Sequence, residues 1–120
     1  MIRSIKDLDI YNIAYDLAIK IHTITISFPK EEKYSLTDQI RRSSRSVAMN
    51  IREGYAKRKY ENVFIRHLID SLGSSEETRG WLEFAKDLKY IEEKAYNELD
   101  NYYDNLNAKL NKLITNWKTF

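Results

Sequence analysis

The sequence predicts an all-α fold, an antiparallel up-down-up-down four-helix bundle made by a single domain over residues 1–120. Three observations carry that expectation. Apolar residues recur at spacings of three and four through four separate segments, the period of an amphipathic helix. Only 3 Gly and 1 Pro punctuate 120 residues, too few to supply the turns of a strand-rich domain. The connectors are three to six residues long, which makes consecutive helices antiparallel neighbours.

The first helix is expected from Asp7 to Phe28, with Ile10, Ile13, Ala14, Leu17, Ala18, Ile21, Ile24 and Phe28 on its inner face. Its last turns, Thr23 to Ile26, are β-branched and weak helix formers, so burial must hold them. Pro29 ends it, because the residue before a proline avoids the α region. After a charged connector, Ser35 to Asp38 has capping-box spacing, and the second helix is expected to run on to Lys57. Read at about 100° per residue, Leu36, Ile40, Ser43, Val47, Ile51 and Gly54 share one side. A glycine inside a helix costs roughly 1 kcal/mol relative to alanine, so Gly54 on the inner stripe implies a close helix approach.

The third helix is expected from Glu61 to Lys89 on Phe64, Leu68, Leu72, Ser75, Leu82, Ala85 and Leu88, widened by Ile65 and Ile69. Its small, polar middle, Gly73-Ser74-Ser75, implies a second close approach. A turn at Tyr90 to Glu92 leads to a fourth helix from Glu93 to Lys118, with Leu99, Tyr102, Leu106, Leu110, Leu113 and Trp117 as its stripe.

Composition excludes several function classes. With no cysteine there is no thiol catalysis, disulfide or Cys-ligated metal, which fits a cytoplasmic protein. The amino terminus has no secretory apolar core, and no apolar run approaches about 18 residues, so no membrane association is expected. His22 and His67 lie on different helices, and neither follows a glutamate at the Glu-x-x-His spacing of a bundle di-iron site. No glycine-rich phosphate loop is present, and Arg42 to Ser46 lacks a base to activate a serine. Neither an enzyme nor a cofactor is expected.

Charge is the functional signal. The net charge is only +2, yet residues 35–67 carry eight Lys/Arg against three Asp/Glu, while residues 68–120 carry seven against ten. Arg41, Arg45 and Arg52 fall within about 40° of one another opposite the apolar stripe, with Arg42, Lys57, Arg58 and Lys59 beside them. Such a row suits phosphates, and Tyr55 and Tyr60 suit stacking on unpaired bases. The alternative is a solvated face that ion-pairs with the acidic fourth helix of the same or a neighbouring subunit. Ser46, Asn50 and Glu53, with Arg42, flank the stripe and are expected to form a partly buried polar network. Aromatic residues outside the stripes, Tyr15, Trp81, Tyr96 and Tyr103, point to a subunit interface and hence a homo-oligomer.

Four blocks carry a resemblance: Phe28-Pro29-Lys30-Glu31-Glu32-Lys33-Tyr34-Ser35-Leu36, Gln39-Ile40-Arg41-Arg42, Ser46-Val47, and Asn50-Ile51-Arg52-Glu53-Gly54-Tyr55. Leu72-Gly73-Ser74-Ser75-Glu76-Glu77 and Ala85 to Ile91 extend it. In these the chain resembles the proteins encoded in intervening sequences of bacterial 23S ribosomal RNA genes. It is more distantly similar to the accessory variability determinants of diversity-generating retroelements. The resemblance implies a left-handed bundle assembling into a ring, a homopentamer in known relatives, and a nucleic-acid-binding accessory role. Arg45, Met49 and Arg52 stand where the family carries small or apolar residues, and Ala48 where it has proline. The added arginines strengthen the basic surface. The expected function is therefore a non-enzymatic oligomer that binds RNA or DNA through Arg41, Arg42, Arg45, Arg52, Lys57, Arg58, Lys59 and Tyr55. The alternative is an adaptor that docks a nucleic-acid enzyme or ribosomal component without touching nucleic acid.

Overall fold

Four helices follow one another in the computed structural model, which describes residues 2–117. A 3-10 turn, Ile5–Asp7, precedes α1 (Asp9–Thr25), and a second, Lys30–Glu32, precedes α2 (Leu36–Ala56). α3 (Glu61–Asp87) and α4 (Glu93–Asn116) complete the chain. α2 packs between α1 and α3, and α4 closes the bundle against α3 and α1. Side-chain bridges fix the antiparallel register at three of these seams. Ser43 meets Thr78, Ser46 meets Ser74, and Asn50 meets His67 as α2 and α3 run past each other. Arg79 on α3 reaches Asp100 on α4, Glu76 reaches the later Asn107, and Lys109 reaches back to Asp9 on α1. The bundle measures 48 × 25 × 20 Å, its length set by the 27-residue α3 at about 1.5 Å per residue.

The inner stripes meet as expected. Ala14, Ile21, Ile40, Val47, Ile51, Phe64, Leu68, Leu82, Leu106 and Leu110 are fully enclosed, and Phe64 meets the Trp117 ring edge-on at 4.7 Å. α4 differs by one position: Tyr103 lies in the core, whereas Tyr102 is 40% exposed. Tyr103 therefore belongs to the core and not to a subunit surface. Burial raises its hydroxyl pKa well above the usual range. Ile69 and Leu88, expected on the inner face of α3, are more than half exposed.

Helix ends differ from expectation for local reasons. α1 stops at Thr25, whose hydroxyl bonds back to the Ile21 carbonyl at 2.8 Å. The Ser35 hydroxyl does not cap α2. It donates instead to the Glu32 carboxylate, which also accepts from the Leu36 amide at 3.3 Å and the Tyr90 hydroxyl at 2.8 Å. Glu32 thus supplies the negative end group that the helix dipole favours. α3 ends two residues early, with Lys89 at φ 64° letting the Tyr90 amide reach back to the Ala85 carbonyl at 2.8 Å. The expected last residue of α4, Lys118, lies outside the described residues.

Gly54 does bring α2 and α3 together, since a Cβ there would lie 2.6 Å from the His67 Cβ. The second close approach uses Ser71, Ser74, Ser75 and Thr78. Gly73 takes no part, because a Cβ there would meet nothing within 4 Å.

Candidate functional site

α2 carries the basic stripe, and its register against α1 decides what each arginine touches. The Arg41 Nε donates to the Thr25 hydroxyl at 2.8 Å, and the Arg45 Nη2 lies 3.3 Å from the His22 Nδ1. Arg52 Nη1 donates to the Tyr11 hydroxyl at 2.9 Å, with its guanidinium carbon 5.6 Å from that ring's centre. Successive arginines of α2 thus reach successively earlier residues of α1. Their partners are a hydroxyl, an imidazole and a phenol. Among the described residues, none of Arg41, Arg42, Arg45, Arg52 and Lys59 has a carboxylate within ion-pairing distance. Within the chain, among the described residues, these arginines do not pair with the acidic fourth helix, where Asp100 and Asp104 bind Arg79 of α3. The guanidiniums of Arg41, Arg45 and Arg52 are therefore held in place without an ion pair to any carboxylate among the described residues.

Arg42, Arg45, Arg52, Lys57, Arg58 and Lys59 are exposed, and Arg41 is half-buried. Tyr55 requires a correction. It is only 6% exposed, packed in the core with its ring 4.0 Å from the Arg58 guanidinium, so no base can stack on it. Arg58 Nη1 also donates to the Tyr55 carbonyl at 3.0 Å. Tyr60, in the α2–α3 turn, keeps the accessible ring at 63% exposure, with the Lys59 ammonium 5.9 Å from its centre.

The other flank of α2 carries the polar network, with different members from those expected. Ser46 shares a 2.9 Å bond with Ser74, and the Asn50 amide donates to the Ser46 hydroxyl and carbonyl, each at 3.1 Å. The Asn50 oxygen lies 3.2 Å from the His67 Nδ1, so that nitrogen carries the proton. Glu53 is exposed and not buried, and meets the His67 Nε2 at 3.3 Å and the Lys57 ammonium at 3.4 Å. Arg42 stands apart from this network, while His67 and Ser74 join it. His67 is the member the sequence reading missed, and Gly54 is its signal, because the bare backbone there admits the first turns of α3 and draws His67 against α2.

Among the described residues, no group of three or more His, Asp or Glu side chains is placed to hold a metal ion. No helix there is long and apolar enough to cross a membrane.

Comparison with known proteins agrees with this architecture. A solved structure described as a protein with unknown function from the S23 ribosomal protein family of Bacteroides thetaiotaomicron superposes with a TM-score of 0.78. The match covers 89% of this chain and 99% of that one at 24% identity, which speaks for the fold. No curated protein matches the sequence. The family described as 23S rRNA-intervening sequence protein matches residues 6–112, nearly the whole bundle. The chain belongs to the 23S rRNA-intervening sequence protein family.

Proposed function

We propose that this bundle is a non-catalytic, homo-oligomeric, cytoplasmic accessory protein that binds RNA or DNA through the outer face of α2 and the α2–α3 turn. One observation carries the reading: the arginines of α2 are oriented by a hydroxyl, an imidazole and a phenol of α1, with no carboxylate among the described residues paired to them, and leave their positive charge for an outside anion. Phosphate is the chemistry that such a row of forked donors suits. Arg42, Lys57 and Lys59 extend the row to the turn, where Tyr60 offers a ring to an unpaired base.

Fluorescence anisotropy with a labelled RNA hairpin bearing a single-stranded tail tests this. Four phosphate contacts would make the affinity fall roughly a hundredfold between about 50 and 200 mM salt. Reversing Arg42 and Lys59 together (Arg42→Glu, Lys59→Glu) should flatten the salt slope by about two contacts while the fold persists. Unchanged binding in that variant removes this surface from consideration. The half-exposed Tyr15, Ile19 and Met49 favour a second reading, an adaptor that docks a protein. That reading predicts no anisotropy change with the hairpin at any salt concentration.

A further inference from the structure

Two exposed faces of the monomer complement each other. Between α1 and α2 lies a shallow groove of about 400 Å³, floored by Ala18 and Ala48 and walled by Tyr15, Ile19 and Met49. Each wall residue is about half exposed, and Arg45 and His22 stand at the groove's edge. On α3, Glu77, Trp81, Phe84 and Leu88 follow one another at spacings of three and four and form one ridge. Phe84 and Leu88 are more than half exposed, and the Trp81 and Phe84 rings lie 5.7 Å apart, tilted by 37°. The ridge is flanked by the exposed carboxylates of Glu77, Glu83 and Asp87.

Gly73 and Gly80 lie on the same outer side of α3, one heptad apart, and a Cβ at either would meet nothing within 4 Å. Glycine inside an exposed helix costs roughly 1 kcal/mol relative to alanine. Nothing within the monomer offsets that cost, whereas a helix packed from outside would use the missing side chains to come close.

We propose that the α3 ridge of one copy seats in the α1–α2 groove of a second copy, in a head-to-tail contact. Apolar walls meet an apolar ridge, and the cationic rim of the groove meets the acidic flanks of the ridge. A self-complementary contact would set like charges against each other at either face, so the two surfaces differ, as a heterologous interface requires. This rests on the oligomeric part of the proposed function and is independent of nucleic acid. Of the basic row it uses Arg45 alone, so Arg41, Arg42, Arg52 and the α2–α3 turn stay open to an outside anion.

The experiment uses two variants, Met49→Glu in the groove and Phe84→Glu on the ridge, with light-scattering mass as the readout. Both positions are exposed, so circular dichroism should report an unchanged helical fold. Wild type should exceed the 14.3 kDa monomer, and each variant alone should remain at it. Mixed in equal amounts, one intact ridge and one intact groove remain, so the mixture should form a heterodimer and nothing larger. A monomeric wild type overturns the oligomeric reading together with this contact. An oligomeric wild type whose variants still assemble, or whose mixture forms no dimer, overturns this pairing of faces alone.

Discussion

Alanine at Gly54 tests whether the α2–α3 seam is held at its closest possible distance. The added methyl would stand 2.6 Å from the His67 Cβ and 3.0 Å from the Phe64 Cδ1, where ordinary contact begins near 3.4 Å. The nearest atom is a Cβ fixed to the α3 backbone, so no rotamer change relieves it. The helices must part locally by about 0.8 Å. Overpacking of this kind costs about 1–3 kcal/mol. The parting also stretches the Asn50–His67 bond one turn away, already 3.2 Å, and weakening it adds about 1 kcal/mol. Helix propensity returns about 1 kcal/mol. The net loss is about 1–3 kcal/mol, or a fall in Tm of roughly 4–12 °C for a domain of this size. Urea unfolding followed by circular dichroism measures it. Both Gly54→Ala and the control Gly73→Ala belong in the Phe84→Glu background, so that assembly does not enter the stability. Gly73 has open space around it, so its alanine variant should gain up to about 1 kcal/mol. Equal gains at both positions would refute the close-approach argument.

Two further substitutions probe the end of the bundle where the α1–α2 connector meets the α3–α4 turn. Glu32 has its carboxyl pKa lowered, first by the Ser35 hydroxyl, then by the Tyr90 hydroxyl. A depressed folded pKa means a contribution that is complete above the unfolded value near 4.5 and lost as pH falls through the folded value. The stability gap between wild type and Glu32→Gln, measured by thermal melts, should therefore narrow steadily below about pH 5. A gap that stays constant down to pH 3 would mean that the carboxylate charge does not matter. Lys89 sits at φ 64°, which costs an L-residue roughly 1–2 kcal/mol that glycine does not incur. After the greater chain entropy of unfolded glycine is counted, Lys89→Gly should raise stability by about 0.5–1 kcal/mol. A destabilised Lys89→Gly protein in urea unfolding would show that the lysine side chain, and not the turn geometry, holds this end.

What the sequence discloses and what it hides follow from the range of the forces involved. Helix faces are written in a local period, so Ile40, Val47 and Ile51, or Leu106 and Leu110, could be assigned to the interior without knowing any neighbour. Gly54 was legible for the same reason, because an inner-face glycine has a cost that only close packing offsets. Helix ends were less legible. Ser35 has the right spacing for a cap, but Glu32 competes for its hydroxyl, and a carboxylate accepts more strongly than the hydroxyl can.

The candidate site depends on registers between helices, which no local pattern records. Arg41, Arg45 and Arg52 were visible as a row, but Thr25, His22 and Tyr11 as their partners follow only from the alignment of α1 against α2. Tyr55 and Tyr60 illustrate the limit most sharply. Both flank the same cationic turn, yet Tyr55 lies inside the helix and turns into the core, whereas Tyr60 lies just beyond its end. A helix of fixed period assigns Tyr55 about 60° from the axis of its buried stripe, close enough for the core to claim it. Beyond the helix end that period no longer applies, and Tyr60 remains available to a ligand. The boundary of α2 at Ala56 therefore decides which of two aromatic rings can serve the basic surface.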